Sequence, residues 1–313
     1  MDIIKAKKLN RGDVIGIISP SSPVSDRERL DGSVSYFESM GYRVRVGKNV
    51  LKERGYLAGT DEERVEDIHS MFLDDEVKLI ICLRGGYGAA RLLDKIDYNI
   101  IKKHPKIFCG YSDITVLQNA IFKKTGLVTL AGPMAGVDFY KDINEWTAEN
   151  FWKTVTSGDP VKISNVDGAG LKSLIVGKAE GRLIGGNLSL FSSLSGTEYL
   201  PEPKGTILML EDVGEVPYKI DRMLNQLRLS GYVERIAGVL LASFTDCIET
   251  DPLRKSLTLE EVMSDYFNNN LHVPVVYNLN HGHVTNNLTI PIGVKVRLDG
   301  DNCRLEFLES HLV

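Results

Sequence analysis

The chain has 313 residues, of which 43% are apolar and 25% charged, and its formal net charge is -5. That length supplies ample core for two domains or one large one, in proportions ordinary for a globular enzyme. There is no basic block or aromatic-interleaved Lys/Arg patch to suggest nucleic acid as a partner, and no run of about 18 apolar residues to suggest a membrane span.

Residues 1–8 carry lysines but no apolar h-region, so a secretory signal is not expected and a cytoplasmic location is. Residues 14–19 then form a continuous apolar run, as in a strand covered on both faces. Ser25-Asp26-Arg27-Glu28 reads as a capping box that opens a helix to Met40, ended by Gly41. A short strand follows at 43–46. Thr60-Asp61-Glu62-Glu63 is a second capping box, with Val65, Ile68, His69 and Phe72 recurring behind it at helical spacing. Strands are predicted at 77–83 and 106–111, the latter running into a helix-compatible segment at 113–124. Alternating strands and helices imply a parallel sheet with right-handed crossovers, hence a Rossmann-like or flavodoxin-like α/β domain. In such sheets ligands bind beyond the carboxyl ends of the strands, where Gly85, Gly86, Gly88 and Ser112 all fall.

Residues 138–156 look helical, and Ser157-Gly158-Asp159-Pro160 breaks that pattern. The domain boundary is therefore placed within 155–167, giving an N-terminal domain at 1–160 and a smaller mixed α/β domain at 161–313. The second part is expected to hold strands at 206–210, 238–242 and 274–278, and helices at 218–229 and 257–267. A hairpin closes it, alternating around Asp299-Gly300-Asp301-Asn302.

Three sites carry residues of chemical interest. Ser112, at the strand-to-helix corner Phe108-Cys109-Gly110-Tyr111-Ser112-Asp113-Ile114, suits a nucleophile beside helix N–H groups, and equally a plain helix N-cap. Glu211-Asp212 ends the apolar run from Thr206, as a triad acid or as a carboxylate paired with Lys219 or Arg222. His283, in Asn280-His281-Gly282-His283, lies in a polar loop between apolar segments. Serine, carboxylate and histidine are the nucleophile, orienting acid and general base of acyl transfer. His281 competes for the base role, and Asp212 and Glu215 for the acid.

Cys82, Cys109, Cys247 and Cys303 form no CxxC pair and read as free structural thiols; a catalytic Cys109 is the minor alternative. His281 and His283 lack the neighbours of a closed zinc site, so no metal and no cofactor is expected.

Leu83-Arg84-Gly85-Gly86-Tyr87-Gly88, Gly110-Tyr111-Ser112-Asp113-Ile114, Leu183-Ile184-Gly185-Gly186-Asn187-Leu188, Leu210-Glu211-Asp212-Val213-Gly214-Glu215 and Gly282-His283 resemble, in this order, the LD-carboxypeptidase family of serine peptidases. That group includes the murein tetrapeptide carboxypeptidases and the microcin-immunity hydrolases. The resemblance implies Ser112 as nucleophile, Glu211 as acid and His283, directly after Gly282, as base. It also implies a homodimer that takes a small murein tetrapeptide as substrate. The implied reaction releases the terminal D-alanine of L-Ala-D-Glu-meso-diaminopimelate-D-Ala in peptidoglycan recycling. A hydrolase of aminoacyl-nucleotide conjugates is the alternative within the enzymes, and a non-catalytic peptide- or sugar-binding module the alternative outside them.

Acyl transfer also needs an oxyanion hole, for which the backbone N–H groups of Asp113 and of the Gly85-Gly86 turn are candidates. A terminal carboxylate calls for a cation, and Arg84 is placed to supply it, with Tyr87 beside it in the substrate cleft. Asn187 either caps a helix or lines that cleft. Ile114 stands where the GxSxG elbow has its second glycine, which sets the chain apart from ordinary α/β-hydrolases.

Overall fold

The computed structural model describes residues 2–24, 26–161, 163, 170–267 and 271–313. Its strands, in chain order, begin with β1 (Val14–Ile18), β2 (Arg43–Val46), β3 (Val77–Cys82), β4 (Ile107–Gly110) and β5 (Thr129–Ala131). There follow β6 (Lys172–Ile175), β7 (Lys178–Asn187), β8 (Thr206–Val213), β9 (Gly238–Thr245) and β10 (Val275–Tyr277). The last are β11 (Ile290–Ile292), β12 (Lys295–Asp299) and β13 (Arg304–Phe307).

The first sheet has the order β11-β5-β4-β3-β1-β2. Strands β1 to β5 are parallel and follow the flavodoxin-like order, with the direction of winding reversing between β1 and β3. The side chains of β1, β3 and β4 are buried on both faces, which is why these strands read as unbroken apolar runs, whereas the edge strand β2 is largely exposed. The second sheet, β13-β12-β7-β8-β9-β10-β6, has a parallel centre, β7 to β10, flanked by antiparallel strands. It has seven strands against six in the first.

Strand β11 pairs antiparallel with β5, so a segment from the far end of the chain completes the first sheet. Part of the boundary expected within 155–167 lies outside the described residues. So does Ser25, the expected cap of the first helix. The observed N-cap is Asp26, whose side chain accepts from Glu28 N–H, and the helix runs Arg27–Ser39. The box at Thr60 is reciprocal, Thr60 accepting from Glu63 N–H and Glu63 from Thr60 N–H. The helix expected at 138–156 is two helices, Ala135–Asp138 and Glu145–Thr156, the second capped by Asn144. Among the described residues no helix is long and apolar enough to cross a membrane.

The sheets meet through the helix that follows Ser112, Thr115–Thr125. Asn119 Nδ2 donates to Gly185 O at 2.8 Å, its Oδ1 accepts from Gly185 N–H at 3.1 Å, and Thr115 Oγ1 accepts from Asn187 N–H at 3.1 Å. A side chain on Gly186 would sit 2.7 Å from Thr115 Oγ1, so this close approach requires glycine. Since Asn187 is the register partner of Glu211, the helix that follows Ser112 is locked to the strand beside Glu211.

Candidate active site

Three loops converge at the carboxyl ends of β1, β3 and β4. Ser112 follows β4 with φ of 63°, in the left-handed region, and a short 3-10 turn, Ser112–Ile114, precedes the helix. It is therefore not the helix N-cap. A non-glycine residue there costs roughly 1–2 kcal/mol, strain of the kind that concentrates at functional sites. Gly110 explains the departure from GxSxG: a Cβ on it would come 3.0 Å from the Ile114 side chain, so Ile114 packs where the second glycine would otherwise make room.

The turn after β3 lies under the serine. A Cβ on Gly85 would be 3.0 Å from Ser112 Cβ and 3.4 Å from Asp113 N, so the bare glycine lets two backbones meet. The Asp113 carboxylate is buried and accepts from Ser21 Oγ at 2.6 Å and Ala89 N–H at 2.8 Å. It ties the loops after β1 and β3 to the Ser112 corner, and burial raises its pKa. Fully buried Arg64 adds a second tie, donating to Pro20 O at 2.6 Å and Gly88 O at 3.0 Å while pairing with Asp61. The sequence singled out the backbone N–H of Asp113 but not its carboxylate, and it did not single out Arg64. The signal available was a charged residue within an apolar helix face.

Glu211 lies inside β8, not at its end, and is 1% exposed. His283 Nδ1 donates to its Oε2 at 2.9 Å, while the His283 side chain keeps 22% exposure and sits edge-on to Tyr111 with ring centroids 5.1 Å apart. Thr245 Oγ1 donates to His283 O, and Asn287 Oδ1 accepts from Gly282 N–H. Asn287 N–H in turn donates to Thr147 Oγ1 on the helix Glu145–Thr156, so the first half of the chain also steadies the histidine loop.

The competing residues are occupied elsewhere. His281 is buried, with Nδ1 against Leu288 O at 2.7 Å, and burial lowers its pKa. Asp212 accepts from Asn187 Nδ2, from Ser189 N–H and Oγ, and from Val213 N–H. Glu215 pairs with Lys219, and Arg222 lies over the Tyr218 ring, so neither cation serves Glu211. Cys109 is buried, and burial drives its thiol pKa far up, which disfavours a thiolate nucleophile. Among the described residues no group of three or more His, Cys, Asp or Glu could hold a metal ion.

Arg84 donates to Pro23 O at 3.1 Å, and among the described residues it forms no ion pair. Tyr87 is exposed, its N–H donating to Ser22 Oγ and its ring edge-on to exposed Tyr56 at 5.5 Å. Gly86 has φ of 112° against Ser22. Asn187 is the cap and not a cleft residue: its Oδ1 accepts from Leu190 N–H, its Nδ2 is taken by Asp212, and it is buried.

A two-domain α/β scaffold that gathers a strained serine corner and a carboxylate-held histidine is that of a hydrolase. Two family descriptions match the chain, the LD-carboxypeptidase N-terminal domain over residues 15–132 and the LD-carboxypeptidase C-terminal domain over 180–298. The chain belongs to the LD-carboxypeptidase family, and is thus an enzyme rather than a non-catalytic binding module. It is 42% identical over 296 residues to the probable murein peptide carboxypeptidase of Bacillus subtilis, covering 94% of this chain and 91% of that one. It is 29% identical to the microcin C7 self-immunity protein MccF of Escherichia coli, over 98% and 96% of the two chains. The crystal structure of muramoyltetrapeptide carboxypeptidase from Oxalobacter formigenes superposes with a TM-score of 0.82 at 32% identity, over 94% of this chain and 97% of that one.

Proposed function

We propose that the chain is a serine carboxypeptidase that removes the terminal D-alanine from the murein tetrapeptide L-Ala-D-Glu-meso-diaminopimelate-D-Ala during peptidoglycan recycling in the cytoplasm. The observation that carries this reading is the 2.9 Å hydrogen bond from His283 to buried Glu211, beside the strained Ser112 corner. Ser112 Oγ attacks the scissile carbonyl while His283 Nε2 takes its proton and passes it to the leaving amine. Glu211 fixes the tautomer through Nδ1–H and stabilises the imidazolium. The backbone N–H groups of Asp113 and Gly86 receive the oxyanion, and Arg84, in no ion pair among the described residues, receives the terminal carboxylate. Water activated by His283 then releases the tripeptide from Ser112.

The test is alanine release from three peptides under one set of conditions: the tetrapeptide ending in D-alanine, the same peptide ending in L-alanine, and the pentapeptide ending in D-Ala-D-Ala. Only the first should be cleaved quickly, and equal rates for the two enantiomers would exclude an L,D-specific enzyme. A second reading, hydrolysis of an aminoacyl-nucleotide conjugate, is favoured by the exposed Tyr56 and Tyr87 rings beside the glycine turn, an aromatic surface on which a base could stack. Turnover of an aminoacyl-adenylate analogue, with no peptide cleaved, would select it.

A further inference from the structure

One charged group beside the catalytic histidine has no part in the mechanism above. Asp138 ends the short helix Ala135–Asp138, which lies over the carboxyl ends of β3 and β4: Gly136 N–H donates to Leu83 O at 2.8 Å and Cys109 Sγ to Pro133 O. Leu83 is the neighbour of Arg84, so this helix abuts the segment that carries that cation. Asp138 Oδ2 accepts from Met134 N–H at 2.8 Å, and among the described residues the carboxylate has no ion pair. The nearby cations are engaged elsewhere. Arg29 donates to Gly136 O and lies 4.7 Å over the Tyr140 ring, and Lys141 lies over the same ring at 5.2 Å.

The helix packs on the strand end that leads into the Arg84 turn, and the Asp138 charge is felt by the Tyr111 phenol, whose ring centroid lies 5.1 Å from that of His283. Burial raises the Asp138 carboxyl to about 6, with the Met134 N–H and His283 pulling the other way. A partly buried carboxylate without a cation is a costly arrangement, and an incoming ammonium group would relieve it.

We propose that Asp138 is a specificity-determining residue that binds an ammonium group on the side chain preceding the scissile bond. The assignment rests on the carboxypeptidase reading and deepens it. With Arg84 on the terminal carboxylate, the cleft offers, among its described residues, a charge of each sign outside any ion pair to a peptide that ends in a carboxylate and carries an amine one residue earlier. Diaminopimelate and lysine both supply that amine; an aliphatic third residue does not.

The experiment compares L-Ala-D-Glu-L-Lys-D-Ala with the same peptide carrying L-norleucine at the third position, using wild type and Asp138→Asn. The asparagine keeps the acceptor for Met134 N–H and removes the charge. Wild type should favour the lysine peptide in kcat/KM by roughly ten- to a hundredfold, as expected for one charge-assisted hydrogen bond. Asp138→Asn should collapse that ratio toward one, mainly through KM for the lysine peptide. A wild-type ratio near one, or an unchanged ratio in Asp138→Asn, would overturn the assignment and leave the carboxypeptidase reading standing. Failure of the wild type to cleave either peptide would overturn the assignment, and failure on the meso-diaminopimelate tetrapeptide as well would overturn both.

Discussion

Gly282 owes its identity to Glu211: a Cβ at residue 282 would stand 2.5 Å from Glu211 Oε2, the oxygen that holds His283. Its φ of 110° is also one that side chains rarely adopt. Gly282→Ala should therefore displace the carboxylate or the histidine loop. Because an error of about 1 Å at a reacting group can cost roughly a hundredfold, kcat should fall by about that factor while the fold persists. Steady-state kinetics together with a circular dichroism spectrum check this.

If Ser112, His283 and Glu211 act on one proton transfer, each alanine variant should lose several orders of magnitude in turnover, and double variants little more than the worst single one. His281→Ala serves as the contrast. It should lower stability through the lost Leu288 contact, and the remaining folded protein should turn over near the wild-type rate. An inactive His281→Ala beside an active His283→Ala would reverse the assignment of the base.

The left-handed backbone at Ser112 makes a prediction about stability alone. Both Ser112→Ala and Ser112→Gly remove the hydroxyl, but only glycine accepts φ of 63° without strain. Ser112→Gly should be the more stable of these two inactive proteins, by about 1 kcal/mol in urea unfolding. Equal midpoints would mean that the corner relaxes when the hydroxyl goes.

Asp138 should leave a signature in the dependence of stability on pH. Its carboxyl titrates near about 6 in the fold against a reference of 3.8, so across that window the folded chain holds more protons than the unfolded one. Stability contributed by this group is present below the window and lost as pH rises through it. The stability of Asp138→Asn relative to wild type should therefore climb from about pH 4 to about pH 6 and then level off. Urea titrations of both proteins at several pH values read this difference, and other carboxylates cancel in the subtraction.

A mechanism run by serine, histidine and glutamate needs no metal ion. Turnover should survive dialysis against EDTA, and loss restored by zinc would contradict that chemistry.

Local signals in the sequence carry much of this protein. The apolar runs of β1, β3 and β4, the capping box at Thr60 and the closing hairpin are legible because neighbours a few residues apart dictate them. The positions of Ser112 and His283 in their motifs are legible for the same reason. The acid was harder, since strand alternation puts Glu211 and Asp212 on opposite faces and does not say which face meets the histidine. Only the tertiary structure decided that Asp212 is spent on Asn187 and Ser189 while Glu211 holds His283. It likewise decided that Asn187 is a cap, and that β11 completes the first sheet by pairing with β5, a three-residue strand. The joining of the two halves through Asn119 and Gly185 belongs to the same group, its partners lying 66 residues apart. Pairings so distant in the chain leave no periodic trace in it, because their energy comes from surfaces that exist only once each half has folded.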